Sequence, residues 1–321
     1  MHAIWNQYPE IQTELIEVLK IMEENAYCKD KVIEASIKEL IQSGGKMLRP
    51  GFAVIASKFG NYHPERTRAM ATVVEMFHMA TLVHDDVIDD SKLRRGKETI
   101  QSKYGKEYAV YIGDYLFCIC FKILASTASL QSIKIDSKAM SKICLGEVEQ
   151  LNSRFQKEVS VKQYLRRISG KTAELFSLSL YIGAAESDCD PKLARLFWNI
   201  GHNIGMAFQI IDDILDYTSS DATLGKEAGH DLRDGVYTLP LIYALEKKPA
   251  ELVALLDKKE LSEEEIRRII ALTKEYGGID QARALAKKYT DKAYSFMKRL
   301  PDNEYKKILQ EITEAMLNRA Y

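Results

Sequence analysis

Between Pro64 and Pro191 the chain contains no proline. Proline removes a backbone donor and clashes with the preceding helical turn, so its absence over such a stretch leaves room for long, uninterrupted helices. The apolar spacing is that of helices: Val73, Val74, Phe77, Ala80 and Thr81 recur at threes and fours, as do Ile204, Ala207, Phe208, Ile211 and Leu215 within "IGMAFQIIDDILDY". Breaks are expected at Gly96 and Gly105 and over 126–136, 159–160 and 186–191. Alternating β-branched runs bounded by tight turns are largely missing, and no repeat of solenoid length occurs. After Pro249, Lys- and Glu-rich stretches such as "ELSEEEIRRIIALTKEYGG" read as amphipathic helices wrapping a core. With 46% hydrophobic residues to fill that core, the expectation is a single all-α domain over 1–321.

Charge narrows the partners. The net charge is −1 and no Lys/Arg block forms a phosphate-tracking stripe, which argues against nucleic acid. The N-terminal residues lack the basic, apolar and small-residue regions of a secretory leader, and no apolar run reads as long enough to span a bilayer. Cys28, Cys118, Cys120, Cys144 and Cys189 form no paired framework, so reduced thiols and a cytoplasmic setting are expected.

The segment "LVHDDVIDD" places Asp85, Asp86 and Asp89 at helical spacings of three and four, so their like charges share one patch. "IIDDILDY" repeats the spacing with Asp212, Asp213 and Asp216, again on an apolar helix. Two such clusters facing one another would be strongly destabilising without cations between them. All-oxygen ligands select Mg²⁺ or Ca²⁺ over zinc, and an EF-hand is excluded by register, since Val87 and Asp90 stand where a ligand and a glycine are needed. Mg²⁺ usually shares its ligands with substrate phosphate, and the chain holds cations for such a group: Lys46 and Arg49 in "GGKMLRP", Arg94 and Arg95, Lys171 beside Thr172, and Lys226. Asp90 reads as a helix-end acid, and His84 is assigned no chemistry.

In this order, "GGKMLRP", "EMFHMATLVHDDVIDDSKLRRG", "GEVEQL", "GKTAEL", "FQIIDDILDY" and "LGKEAGHDLRDGVYTLP" resemble the trans-isoprenyl diphosphate synthase family over roughly Gly44 to Pro240. The resemblance implies a single large helical bundle around a deep central cavity, usually dimeric. It implies that Asp85, Asp89 and Asp212, supported by Asp86, Asp213 and Asp216, hold Mg²⁺, three ions per site, against an allylic prenyl diphosphate. Arg94, Lys171 and Lys226 would contact that diphosphate, while Lys46, Arg49, His78 and Arg95 would hold isopentenyl diphosphate. Thr172 and Gln209 would lie near the reacting carbons, with Lys171 completing the catalytic set.

The implied reaction is ionisation of the allylic diphosphate, attack by the isopentenyl double bond and proton loss, repeated to build a polyprenyl chain. Short-chain members carry bulky aromatics four and five residues before the first Asp. Thr81 and Ala80 stand there, so a medium or long product is expected, suited to a quinone side chain, with Phe77 as a later stop. "SRFQ", "YLRRISGKTA" and "YTSSDATLGK" resemble more specifically the catalytic subunit of two-component hexaprenyl or heptaprenyl diphosphate synthases, so the partner is a second copy or a small regulatory subunit. Membrane contact would be at most peripheral, for product release. Val236 departs from the pattern, because many relatives carry Lys there. The rival readings are a class I terpene cyclase-like enzyme, whose second metal motif generally mixes Asn/Asp, Ser/Thr and Glu, and a non-catalytic helical partner subunit.

Overall fold

The computed structural model describes residues 2–318 except 95, 219–228 and 259. The chain divides into two compact units: Met1–Ser137 with Leu175–Trp198 and Leu300–Leu309, and Lys138–Glu174 with Asn199–Arg299 and Gln310–Tyr321.

The first unit opens with α1 (Pro9–Asn25), α2 (Lys31–Gln42), α3 (Leu48–Ser57) and α4 (Pro64–Ile88). Pro9 and Pro64 start α1 and α4 where a missing N–H costs nothing, and Asp30 caps α2 by accepting from the amides of Val32 and Ile33 at 2.9 and 3.1 Å. From Ala69 to Ala80, α4 is buried on nearly every side, as befits a core helix. It packs against α1, α3 and α6 (Lys106–Thr127). Gly113 lets α6 approach closely, since a Cβ there would lie 2.3 Å from the His84 ring. Between α4 and α6 come two-residue strands, β1 (Leu93–Arg94) and β2 (Lys97–Glu98), paired antiparallel, and the short α5 (Ile100–Tyr104).

Next along the chain are α7 (Leu130–Asn152), α8 (Val161–Ile168), a π-helical segment (Ser169–Ala173), α9 (Glu174–Ala185) and α10 (Pro191–Thr218). In the second unit follow α11 (His230–Arg233), α12 (Leu239–Glu246), α13 (Ala250–Leu255), α14 (Glu263–Glu275) and α15 (Gly278–Met297), and the last helix is α16 (Glu304–Leu317). There α12 packs against α8, α14 and α15. Capping boxes of Ser160 with Gln163 and Ser262 with Glu265 begin α8 and α14.

Two expectations are corrected. The break over 126–136 shrinks to residues 128–129, because the Ser129 hydroxyl accepts from the Ser132 amide at 3.1 Å and starts α7 at once. And one helix among the described residues, α6, is long and apolar enough by length and composition to cross a membrane. Its scattered polar residues hide that run from a reading of the sequence. Ile112, Leu116, Ile119 and Ile123 bury one face of α6, while Tyr111 and Phe121 stay 69% and 53% exposed on the other.

Candidate active site

Asp85 and Asp86 occupy the last turn of α4, and Asp89 is its C-cap. Carboxylates at a helix C-terminus oppose the helix dipole as well as one another, so this arrangement calls for positive charge. Part of it comes from the hairpin, which turns Arg94 back so that its Nε and Nη2 both lie 2.8 Å from Oδ1 of the buried Asp86. The Thr99 hydroxyl and the Gln101 amide hold this loop by donating to the Ser91 carbonyl, each at 2.7 Å. Asp90, in left-handed conformation (φ 49°), pairs with Lys92 and Lys106 and is a helix-end acid.

A cavity of about 80 Å³ collects Gly44, Gly45, His78, Asp86 and Arg94 beside apolar side chains such as Met79. Lys46 does not line it, and its backbone carbonyl accepts the Trp5 indole N–H at 2.7 Å. Arg49 lies with its guanidinium 4.7 Å from the centre of the Phe176 ring. Arg95 is outside the described residues. His84 faces α6, with Nε2 3.1 Å from the Val110 carbonyl and 3.4 Å from Asp114, as suits a structural residue. Down α4, Ala80 is fully buried, Thr81 donates its hydroxyl to the His78 carbonyl at 2.8 Å, and Phe77 packs on Phe117 with ring centres 5.3 Å apart.

In the second unit, α10 exposes Asp212 and buries Asp213. Gln209, one turn earlier, donates its amide N–H to Asp213 Oδ1 at 2.8 Å and accepts the Thr172 hydroxyl at 2.6 Å. Thr172 and Lys171 lie in the π-helical segment, a widened turn that recurs at functional sites. The segment is seated on α7 through two glycines: a Cβ on Gly146 would lie 2.7 Å from the Lys171 amide nitrogen, and one on Gly170 2.9 Å from the Lys142 carbonyl. Lys171 pairs with Glu147 at 2.6 Å.

Asp216 caps α11, accepting the amides of His230 and Asp231 at 3.2 and 3.3 Å. Burial, and then the nearby carboxylates Asp213 and Asp216, push Asp231 well above the ordinary acid range. Asp213 is likewise raised, first by burial and, after the opposing pull of its hydrogen bonds, by Asp212. Asp231 was not singled out from the sequence, although it stands in the quoted "GHDLRDG"; so were Tyr164 and Glu147 overlooked. Val236 is buried there, its amide donating to the Asp231 carbonyl at 2.8 Å. Lys226 is outside the described residues.

Among the described residues no three His, Cys, Asp or Glu side chains are placed to hold a metal ion by themselves. The donor chemistry nevertheless fits a hard divalent cation, because a cation would offset the burial, and after it the neighbouring carboxylates, that raise Asp213 and Asp231, and the burial that raises Asp216. Mg²⁺ commonly takes only one or two carboxylates and completes its shell with water and substrate phosphate.

The profile of the family described as Polyprenyl synthetase matches residues 30–273. The chain belongs to this family. Its polyprenyl synthetase relatives include heptaprenyl diphosphate synthase component 2 of Geobacillus stearothermophilus, 39% identical over 88% of either chain. Among solved structures, a geranylgeranyl pyrophosphate synthase from Lactobacillus brevis has a TM-score of 0.93 and 36% identity, covering 99% of each chain. A polyprenyl synthase from Caulobacter crescentus, complexed with calcium and isoprenyl diphosphate, has a TM-score of 0.92 and 32% identity, covering 99% of this chain and 98% of its own. As a polyprenyl synthetase this chain is a prenyltransferase, and its fold is the all-α fold of these enzymes.

Proposed function

We propose that this chain, as one polyprenyl synthetase domain, condenses isopentenyl diphosphate successively onto an allylic prenyl diphosphate in a Mg²⁺-dependent reaction. The observation that carries the reading is the crowding of Asp212, Asp213, Asp216 and Asp231 beside a hydrogen-bonded Thr172–Gln209 pair. Such crowding suits a divalent cation, and the polar pair suits a developing positive charge next to it. Calcium and isoprenyl diphosphate in the Caulobacter enzyme support the same substrate chemistry.

Asp85 and Asp89, and likewise Asp212, supply Mg²⁺ ligands; Asp86, Asp213 and Asp216 hold the surrounding groups in place. When bound, the metal ions neutralise the departing diphosphate. Arg94, Lys171 and Lys226 bind that diphosphate from the protein side, while Lys46, Arg49, His78 and Arg95 hold isopentenyl diphosphate. Thr172 and Gln209 turn oxygen atoms toward the allylic cation, and the buried apolar wall of α4, from Ala80 to Phe77, accompanies the growing chain. With small residues at Ala80 and Thr81, the product is medium to long and serves as a quinone side chain in the cytoplasm. The exposed apolar face of α6 takes a second subunit, another copy or the small partner implied by relatives named as component 2.

The test is to incubate the purified chain with farnesyl diphosphate, labelled isopentenyl diphosphate and Mg²⁺, and to size the extracted products. Diphosphate release that requires isopentenyl diphosphate, with products longer than the starter, is expected. Release from the allylic substrate alone would indicate a cyclase, and none with or without a candidate small subunit would rule the reading out.

A further inference from the structure

Tyr164 is assigned to neither substrate nor metal, yet it is fully buried and its hydroxyl donates to Asp213 Oδ2 at 2.6 Å. The other oxygen of the same carboxylate receives the Gln209 amide N–H at 2.8 Å, and Gln209 Oε1 receives the Thr172 hydroxyl at 2.6 Å. Three donors therefore run one way, from Thr172 to Gln209 to Asp213 and from Tyr164 to Asp213. A carboxylate with both oxygens accepting obliges the Gln209 amide to present its NH₂ to Asp213 and its carbonyl to Thr172. The single proton of the Thr172 hydroxyl is then committed to Gln209, which leaves that oxygen only lone pairs for whatever else approaches.

The backbone explains how one helical stretch reaches both ends of this chain of bonds. Tyr164 and Thr172 are eight residues apart, which in a regular α-helix puts them about 80° apart around the axis. The π-helical turn at Ser169–Ala173 absorbs one extra residue, and the pair then behaves as if seven apart, within about 20° of one face. That face meets Gln209 and Asp213, themselves one turn apart on α10. From behind, the Arg167 guanidinium lies 5.4 Å from the Tyr164 ring centre and donates to the Tyr237 carbonyl and the Ser153 hydroxyl, each at 2.9 Å. Tyr164 is thus held from both sides.

We propose that Tyr164 is a positioning residue: by anchoring Asp213 it fixes the Gln209 amide and commits the Thr172 proton, so that oxygen lone pairs face the reacting allylic carbon. The inference rests on the function proposed above. Tyr164→Phe keeps the ring and deletes the donor. Its kcat should fall by about ten- to a hundredfold, the loss of one hydrogen bond to a charged group, with KM for both diphosphates within about threefold of the parent and a melting temperature within a few degrees. Because the effect travels through Thr172, adding Tyr164→Phe to a Thr172→Val enzyme should cost less than about twofold more, where independent sites would multiply. Full multiplication in the double variant, kcat of the single variant within twofold of the parent, or a rise in KM at unchanged kcat would each overturn the inference while the parent turns over normally. No turnover by the parent overturns the function itself, and this inference with it.

Discussion

Asp136 is buried in α7 with neither carboxylate oxygen in a hydrogen bond among the described residues. Burial first, and then the Glu186 carboxylate, pushes it up to about 8 from an ordinary value of 3.8. A carboxyl raised in the folded state contributes stability that is fully present below the unfolded value and is lost as pH rises through the folded one. Between about pH 4 and 8 each unit therefore costs the parent up to about 1.4 kcal/mol relative to a side chain that cannot ionise. Asp136→Asn should gain on the parent in thermal unfolding as pH rises from 5 to 8; a pH-independent difference would contradict the assignment. The carboxylates proposed as metal ligands behave differently. Asp85→Ala and Asp212→Ala should each lower turnover by roughly a hundredfold or more while melting stays close to the parent's. Normal turnover in either would remove that cluster from the mechanism.

At the scale of elements, the π-helical segment and α4 each make a claim of their own. Gly146→Ala would drive a methyl group against the Lys171 amide nitrogen, 2.7 Å from its ideal position, in a place where all three nearest atoms are backbone. Separating α7 from the segment should cost about 1–3 kcal/mol of stability and displace Lys171 and Thr172, seen as a lower denaturation midpoint together with lower kcat. Along α4, each residue rises about 1.5 Å, so Phe77 lies about 12 Å and Ala80 about 7.5 Å below Asp85. Ala80→Phe should shorten the product in the sizing assay, and unchanged chain length would acquit Ala80. His84, seven residues after Phe77 on the same helix, contacts Phe117 as Phe77 does, so both side chains reach α6 at that ring.

On the scale of the whole molecule, α6 leaves Tyr111 and Phe121 exposed on a side that also carries Asp114 and Lys122. Tyr111→Glu should lower the assembled mass seen by light scattering, alone if the partner is another copy, or only with the small subunit present if it is not. An unchanged mass in both conditions would remove α6 from the assembly.

Much of this was readable from the residues in order. Helical period, the long proline-free stretch and the spacing of both aspartate clusters are local properties, carried by residues within a few turns of one another, and they determined the helices and where along them the carboxylates stand. The length of the 126–136 break was misread because one serine cap, not composition, decides where α7 starts. Tyr164, Glu147 and Asp231 escaped notice because each matters through a residue distant in sequence, and only packing brings a phenol on α8 to a carboxylate on α10. The π-helical turn was equally invisible: one residue's worth of rotation leaves no mark on composition, yet it decides whether Thr172 and Tyr164 address the same side of α10. Local spacing is written in the chain, whereas the direction of a hydrogen bond depends on everything that surrounds it.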